Sequence, residues 1–503
     1  MRILQGACFL IITLVGLMIF INEVNAKPAT LNNGTQKSII LLVKKQKIIV
    51  NHKPVEVYRI EQPNGTWGFI GEKGQYFNAI VKNKTDTPTA IHWHGLIVPN
   101  NQDGVPYITQ PPIPPGGEYR YHFKLLQSGT YWMHSHYGLQ IQQFLSAPFI
   151  ILNPDDKSHA KSVTMFLADF IHKKPETVLR ELQTSSKQNS RQMSPMKMLK
   201  GDRKHSSMQN MHMAASADLT DVKYDAFLTN YKTLESPEIV SIQPGQPIRL
   251  RVIDSAAMTN FYVNTGKLLG EAIAADGERI KPLQGSKFQL GVGQRMDILV
   301  TIPPGEGAYP ILAQGEGTAM QTGLILATPH AKIPALSEKV KTPAGAMNYA
   351  QELRLKSLHP LVKKSINNKL KVNLEGNMIT YVWKINGQVW PNISPLKIKQ
   401  NQRVEIVFTN LTGMSHPMHI HGHVFEVTEI NGVLVKDGPL RDTVLVLPNS
   451  SVVVQFDANN PGNWLLHCHM IYHQAGGMMT LVDYTGYKHP DLEAVKKAWL
   501  QTH

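Results

Sequence analysis

Laid against itself, the chain repeats one short pattern three times. Gln75 to Asn83 (QYFNAIVKN), Gln246 to Asp254 (QPIRLRVID) and Gln402 to Asn410 (QRVEIVFTN) each run from a Gln through an apolar-rich stretch of strand character. Each stretch ends on a turn-forming Asn or Asp eight residues later. Twelve residues past each Asn or Asp stands a glycine: Gly95, Gly266 and Gly422. A further strand follows a Gly-containing turn in every repeat, at Gly129, Gly307 and Gly462. The repeats begin 171 and then 156 residues apart, which suits homologous β domains of roughly 150 residues each. A chain of 503 residues is too long for one core in any case. Between these landmarks, short Val/Ile/Phe/Tyr runs broken by Pro, Gly and Asn favour β-sandwiches. The expected class is all-β, with domains at 38–154, 160–330 and 345–487 and a tail at 488–503. Helix is expected only over Pro175 to Leu182 and Asp491 to Gln501.

Two of the repeats carry something the other lacks. Nine and eleven residues past Asn83 are His92 and His94, and the same offsets past Asn410 give His419 and His421. Five and seven residues past Gly129 are His134 and His136, and past Gly462 they are His467 and His469. The middle repeat has Val263, Thr265, Leu312 and Gln314 at these offsets. On a regular strand, residues two apart point to one face, so each His-x-His pair can aim both imidazoles at one metal region. A core or surface role would explain one isolated pair. It does not explain four pairs at matched offsets, which could close a cluster across a domain interface.

The run His467-Cys468-His469-Met470-Ile471-Tyr472-His473, with Met478 after it, suggests a second kind of site. One thiolate, two imidazoles and a thioether are the ligand set of a blue-copper electron-transfer centre. His416, in His416-Pro417-Met418-His419, supplies the second imidazole. Structural zinc sites usually take more cysteines in paired spacing. A lone catalytic cysteine is the other alternative, and no oxyanion loop accompanies it. The placement has a consequence: Cys468 would bind the electron-accepting copper while its neighbours His467 and His469 bind the cluster.

The N-terminus reads as a secretory signal over residues 1–26. Arg2 precedes an apolar run from Ala7 to Ile21, and Val24-Asn25-Ala26 supplies small residues for cleavage. An uncleaved anchor is the alternative, and no later stretch reaches spanning length. Cys8 lies within this signal, so the mature chain has one cysteine and cannot form an internal disulfide. A periplasmic or secreted location is expected. The formal charge of +14 is partly local to residues 187–213 and comes with no nucleic-acid motif, so it reads as a surface property.

His92-Trp93-His94-Gly95, His134-Ser135-His136, His416-Pro417-Met418-His419-Ile420-His421 and the His467–Met478 run resemble the four copper motifs of multicopper oxidases. The likeness covers nearly all of the mature chain and is greatest to the bacterial copper-resistance branch, whose members resemble laccases and are often cuprous oxidases. It implies three consecutive cupredoxin-like Greek-key domains, four coppers, and dioxygen reduced to water at the expense of Cu(I) or another small reducing substrate. A periplasmic copper-binding or copper-sequestering protein with incidental oxidase activity is the alternative. The resemblance assigns His416, Cys468 and His473 to a type 1 copper with Met478 axial. It assigns His92 and His419 to a type 2 copper, and His94, His134, His136, His421, His467 and His469 to a type 3 pair. Asp103, in Gln102-Asp103-Gly104, matches one of two acidic proton relays, and a turn-forming Asp is its bland explanation. Where some relatives carry the second relay, a Glu after the type 1 histidine, this chain has Gln474. Finally, residues 193–213 hold Met193, Met196, Met198, Met208, Met211 and Met213 with His205 and His212. Thioethers suit Cu(I), whereas the positive charge of the segment opposes cation capture.

Overall fold

The structure is a computed structural model that describes residues 38–156, 158–192 and 219–502. The expected signal and residues 193–213 of the methionine-rich segment lie outside the described residues.

Six sheets make three two-sheet sandwiches, and the marker strand of each repeat sits at the same place in each. Tyr76–Asn83 pairs in parallel with Ile39–Val50, Pro247–Asp254 with Lys161–Phe170, and Arg403–Asn410 with Asn368–Asn377. The registers match to the residue at the strand ends, with Val43 opposite Asn83, Leu167 opposite Asp254 and Leu374 opposite Asn410. The terminal Asn has a physical reason. Asn83 Nδ2 donates to the carbonyls of Thr87, Ile113 and Pro114, and Asn410 Nδ2 to those of Met414, Val446 and Leu447. One side chain thereby satisfies buried carbonyls from two loops. Asp254 brings no amide, and burial holds its carboxyl well above the usual range.

The second sheet of each sandwich carries the His-x-His offsets. Ile91–His94 pairs with Gly129–Ser135, Phe261–Asn264 with Ala308–Gly315, and His416–Ile420 with Asn463–Cys468. His92 faces His134 across the first ladder, and His419 faces His467 across the third. In the middle sandwich the register is one residue off that correspondence: Val263 faces Ala313, both apolar. The matched glycines follow the first of these strands in every repeat with φ of 85°, 63° and 66°, the left-handed region that a side chain opposes.

Helices are few, as expected. The first runs Pro175–Gln192, further than the Pro175 to Leu182 read from the sequence, because polar residues extend it beyond its apolar stripe. A short helix that the sequence reading did not expect, Ile471–Ala475, carries His473, and the last is Leu492–Thr502. Among the described residues no helix is long and apolar enough to cross a membrane.

Candidate metal centre

The eight histidines of the four pairs meet between the first and third sandwiches. His92 stacks on His421 with ring centroids 3.7 Å apart, and His94 on His419 at 3.8 Å, so each contact joins an outer repeat to the other. His136, His421 and His467 bring ligand nitrogens within 4.8 Å of one another, as do His92, His419 and His421, and His92, His94 and His134. Seven of the eight rings are buried, and His136 alone is half-buried.

Hydrogen bonds decide which nitrogen of each ring is free. His92 Nδ1 donates to the Asp103 carbonyl (2.9 Å), His134 Nδ1 to that of Ser135 (3.2 Å), His419 Nδ1 to that of Asp442 (2.9 Å) and His467 Nδ1 to that of Cys468 (2.9 Å). His421 Nδ1 donates to Asp103 Oδ2 (2.9 Å) and His94 Nε2 to Asp442 Oδ1 (3.0 Å). An acceptor with no proton of its own fixes the tautomer, and the opposite nitrogen keeps its lone pair. Those opposite nitrogens face one another: His421 Nε2 and His467 Nε2 are 3.1 Å apart, and His94 Nδ1 lies 3.2 Å from His469 Nε2 and 3.4 Å from His134 Nε2. The Nε2 atoms of His92, His136 and His419 are buried with no hydrogen-bond partner. Unpaired buried nitrogens turned toward each other are costly alone and are what cations held between them would satisfy. The donor set fits copper, which favours imidazole.

A second group sits beside it on the same strand. His416 Nδ1 and His473 Nδ1 are 3.1 Å apart and lie 3.6 and 3.7 Å from Cys468 Sγ. Thr412 Oγ1 donates to Asn410 Oδ1 (2.8 Å), so His416 Nε2 must donate to Thr412 (2.8 Å), leaving Nδ1 free. His473 Nε2 donates to Asp221 Oδ2 (2.8 Å) with the same result. Met478 is fully buried, and its carbonyl accepts the Cys468 amide at 3.1 Å. Burial pushes the Cys468 thiol far above its ordinary value, so copper must displace its proton. Burial, and then the neighbouring imidazoles, hold His94, His136, His421 and His469 well below the ordinary imidazole range. Neutral imidazoles are the ligating form.

Asp103 follows a 3-10 turn, Asn100–Gln102, and precedes Gly104 at φ 81°, so the turn explanation describes its backbone. Its buried carboxylate nevertheless reaches both outer repeats: Oδ2 bonds His421 Nδ1, and Oδ1 lies 3.1 Å from His92 Nδ1 without hydrogen-bond alignment. Gln474 lines a cleft with His136, Tyr107, Tyr137 and Trp390, and Val495 and Trp499 of the C-terminal helix close one side.

The sequence reading missed Asp221, Asp442 and Arg295, because Asp221 and Asp442 each bond a histidine of another repeat, Arg295 bonds Asp442, and no local spacing marks any of them. His423 shows the converse. It continues the His-x-His series after His421, yet its Nδ1 donates to the His421 carbonyl (3.0 Å) and its Nε2 meets Tyr484 Oη (2.7 Å).

Profiles of the multicopper oxidase family match residues 68–156, 161–332 and 364–485. The chain is 30% identical over 408 residues to multicopper oxidase MmcO of Mycobacterium tuberculosis, covering 80% of this chain and 78% of that one. It is 25% identical over 527 residues to copper resistance protein A of Escherichia coli, covering 81% and 86%. Among solved structures, the laccase of Botrytis aclada superposes with a TM-score of 0.71 at 22% identity over 92% of this chain and 90% of that one. The multi-copper oxidase of Pseudomonas thermotolerans gives 0.66 at 22% identity over 89% and 99%. The chain therefore belongs to the multicopper oxidase family, as an oxidoreductase with one type 1 copper, one type 2 copper and a type 3 pair that passes electrons from a reducing substrate to dioxygen.

Proposed function

We propose that the reducing substrate is Cu(I), with Fe(II) and phenols as secondary donors, and that the enzyme serves copper tolerance in the periplasm or outside the cell. The observation that carries this reading is Asp221. Its side chain has no solvent-exposed area, one oxygen binds His473 Nε2 at 2.8 Å, and the other has no hydrogen-bond partner. An anion fixed beside the electron-accepting group favours a cationic donor over a neutral one. The thioethers of residues 193–213, close in sequence to Asp221, are soft donors suited to Cu(I). A relative is named copper resistance protein A, which agrees. The same thioethers favour the second reading, a copper-sequestering protein that turns over incidentally.

In the proposed assignment His416, Cys468, His473 and Met478 would hold the type 1 copper. His92 and His419 hold type 2, and His94, His134, His136, His421, His467 and His469 hold the type 3 pair. When bound, the coppers supply the one-electron chemistry and the reduction of dioxygen. The rest belongs to the chain. Asp103 sits at His421 Nδ1, where its carboxylate can hold and pass the protons that water formation requires. The buried imidazole faces exclude bulk water, and the cleft beside His136 gives dioxygen a path to the one ring left half-buried. Cys468 joins His467 and His469 covalently, so the two sites share one short backbone segment.

The test compares kcat/KM for Cu(I), Fe(II) and a simple phenol, read by oxygen uptake, in the full chain and in a deletion of residues 187–213. Cu(I) is expected to lead, and the deletion to lower Cu(I) oxidation more than phenol oxidation. Cys468→Ser should abolish both blue colour and oxygen uptake. Blue wild-type protein that takes up no oxygen with any donor would establish the sequestering reading.

A further inference from the structure

Among the described residues the middle sandwich contributes no candidate ligand to the histidine cluster, yet its segment 291–295 reaches that cluster. The backbone of Gly293 packs so closely on two rings that a Cβ there would lie 3.1 Å from His469 and 3.2 Å from His94. Gln294 Nε2 donates to the Thr443 carbonyl (3.0 Å). Arg295 is the deepest of these contacts, with no exposed side-chain area. All five of its N–H groups have acceptors. Nε donates to Thr130 O (3.1 Å), Nη1 to Gly293 O (3.1 Å) and Asp442 Oδ1 (2.7 Å), and Nη2 to Asp276 O (3.0 Å) and Asp442 Oδ2 (2.6 Å). One guanidinium thus ties the first sandwich, through Thr130, to the third, through Asp442.

Asp442 passes that constraint on. Its Oδ1 accepts from His94 Nε2 (3.0 Å), and its carbonyl accepts from His419 Nδ1 (2.9 Å). Thr443 Oγ1 donates to Asp442 Oδ1 (2.8 Å) and lies 3.1 Å from both of those ring nitrogens. Clamped by two parallel N–H···O bonds, the carboxylate cannot rotate. It therefore presents Oδ1 at one place, and His94 must offer its Nε2–H there and turn Nδ1 inward. Gly95 fits this arrangement, because a Cβ at that position would collide with Arg295 Nη2 and Asp442 Oδ2.

We propose that Arg295 is a positioning residue of the dioxygen-reducing centre, acting through Asp442 to set the orientation of His94 and His419. This gives the ligand-free repeat a part in the chemistry. It rests on the assignment of His94 and His419 as ligands, and the readouts below separate the two ideas.

The decisive variant is Arg295→Lys, which keeps the charge but replaces a five-donor fork with a point donor. After copper loading, five signals are compared: blue absorption, its anaerobic bleaching by reductant, the spin-resonance signal of type 2 copper, the near-ultraviolet absorption of the type 3 pair, and re-oxidation by dioxygen. The expected result is an altered type 2 signal, a weakened type 3 absorption and re-oxidation slowed about 10- to 100-fold, with the blue absorption and its bleaching rate unchanged. Glu352→Gln is the structural control, since it removes one of the two carboxylates paired with Arg441 (Glu352 at 2.6 and 2.7 Å, Asp276 remaining at 3.2 Å) in the same ionic network without touching a histidine. It should lower thermal stability and leave the cluster signals intact. Wild-type cluster signals and re-oxidation in Arg295→Lys would overturn the proposal, as would a proportional loss of all five signals, blue included. If the lysine variant does not accumulate folded, Asp442→Asn takes its place with the same expected split, and wild-type cluster signals there would equally overturn it. Failure of the ligand assignment itself is distinguishable, because His94→Ala would then retain all four coppers.

Discussion

His473 of the third sandwich and Asp221 of the middle repeat share a buried hydrogen bond, Nε2 to Oδ2 at 2.8 Å, and Tyr381 Oη donates to the same oxygen at 2.8 Å. The ring of Trp383 covers His473 with centroids 4.2 Å apart. The carboxylate therefore fixes the ring orientation and places a negative charge beside the proposed type 1 site.

Asp221→Asn keeps an acceptor for both donors and removes the charge. Losing one charge interaction of about 1–2 kcal/mol should lower kcat/KM for Cu(I) about tenfold. A neutral phenol should lose much less, and the type 1 potential should rise, because the oxidised site loses its anion. Steady-state oxygen uptake with each donor and a redox titration of the blue band check this. Equal losses for Cu(I) and phenol would remove the electrostatic role.

A second expectation concerns the metal-free protein. Burial first, then neighbouring imidazoles, depress His94, His136, His421 and His469 below their ordinary 6.5, and burial does the same to His134, His416, His419 and His467. Below that pH the unfolded chain binds more protons than the folded one, so stability is present above about 6.5 and is lost as pH falls. Each imidazole contributes about 1.4 kcal/mol per pH unit once its unfolded form is charged. Cys468 acts in the opposite direction. Its thiol is raised from 9.0 by burial, so its contribution is present below that value and is lost as pH rises past it. Metal-free protein should be most stable between these limits, with Tm falling by about 5–10 °C from pH 7.5 to 5.5. Copper must displace the proton of the Cys468 thiol, so the stabilisation on loading should shrink toward acid. A Tm indifferent to pH in this range would contradict the buried neutral cluster.

Much of this architecture was legible because repeats announce themselves. The Gln-to-Asn frame located the parallel strand of each sandwich, since Asn83 and Asn410 are needed to satisfy loop carbonyls. The His offsets located the ligand strands, since a strand turns residues two apart to one face. What stayed hidden lies between repeats. Asp221 and Asp442 act on histidines 252 and 348 residues away, and Arg295 acts through Asp442, 147 residues away, and nothing local distinguishes them from other buried ions. Asp103 fell between these cases. Its motif suggests two roles, and one residue holds both the turn and the His421 bond.

The proton supply gives the last test. Asp103 Oδ2 accepts from His421 Nδ1 at 2.9 Å, and its side chain is 1% exposed. Asp103→Asn preserves the turn before Gly104 and removes the carboxyl, so reduction of the type 1 site should be normal while re-oxidation by dioxygen slows about 100-fold. The cleft lined by His136 holds Gln474, an amide that cannot give up a proton. Placing a carboxyl there tests whether proton delivery, rather than geometry, is what Asp103 provides. Gln474→Glu in the Asp103→Asn background should recover about tenfold of the lost re-oxidation rate, more at low pH where the new carboxyl is protonated. Stopped-flow re-oxidation of the pre-reduced protein across pH measures both. If the double variant remains as slow as Asp103→Asn at every pH, Asp103 serves by orienting His421 and the proton role falls.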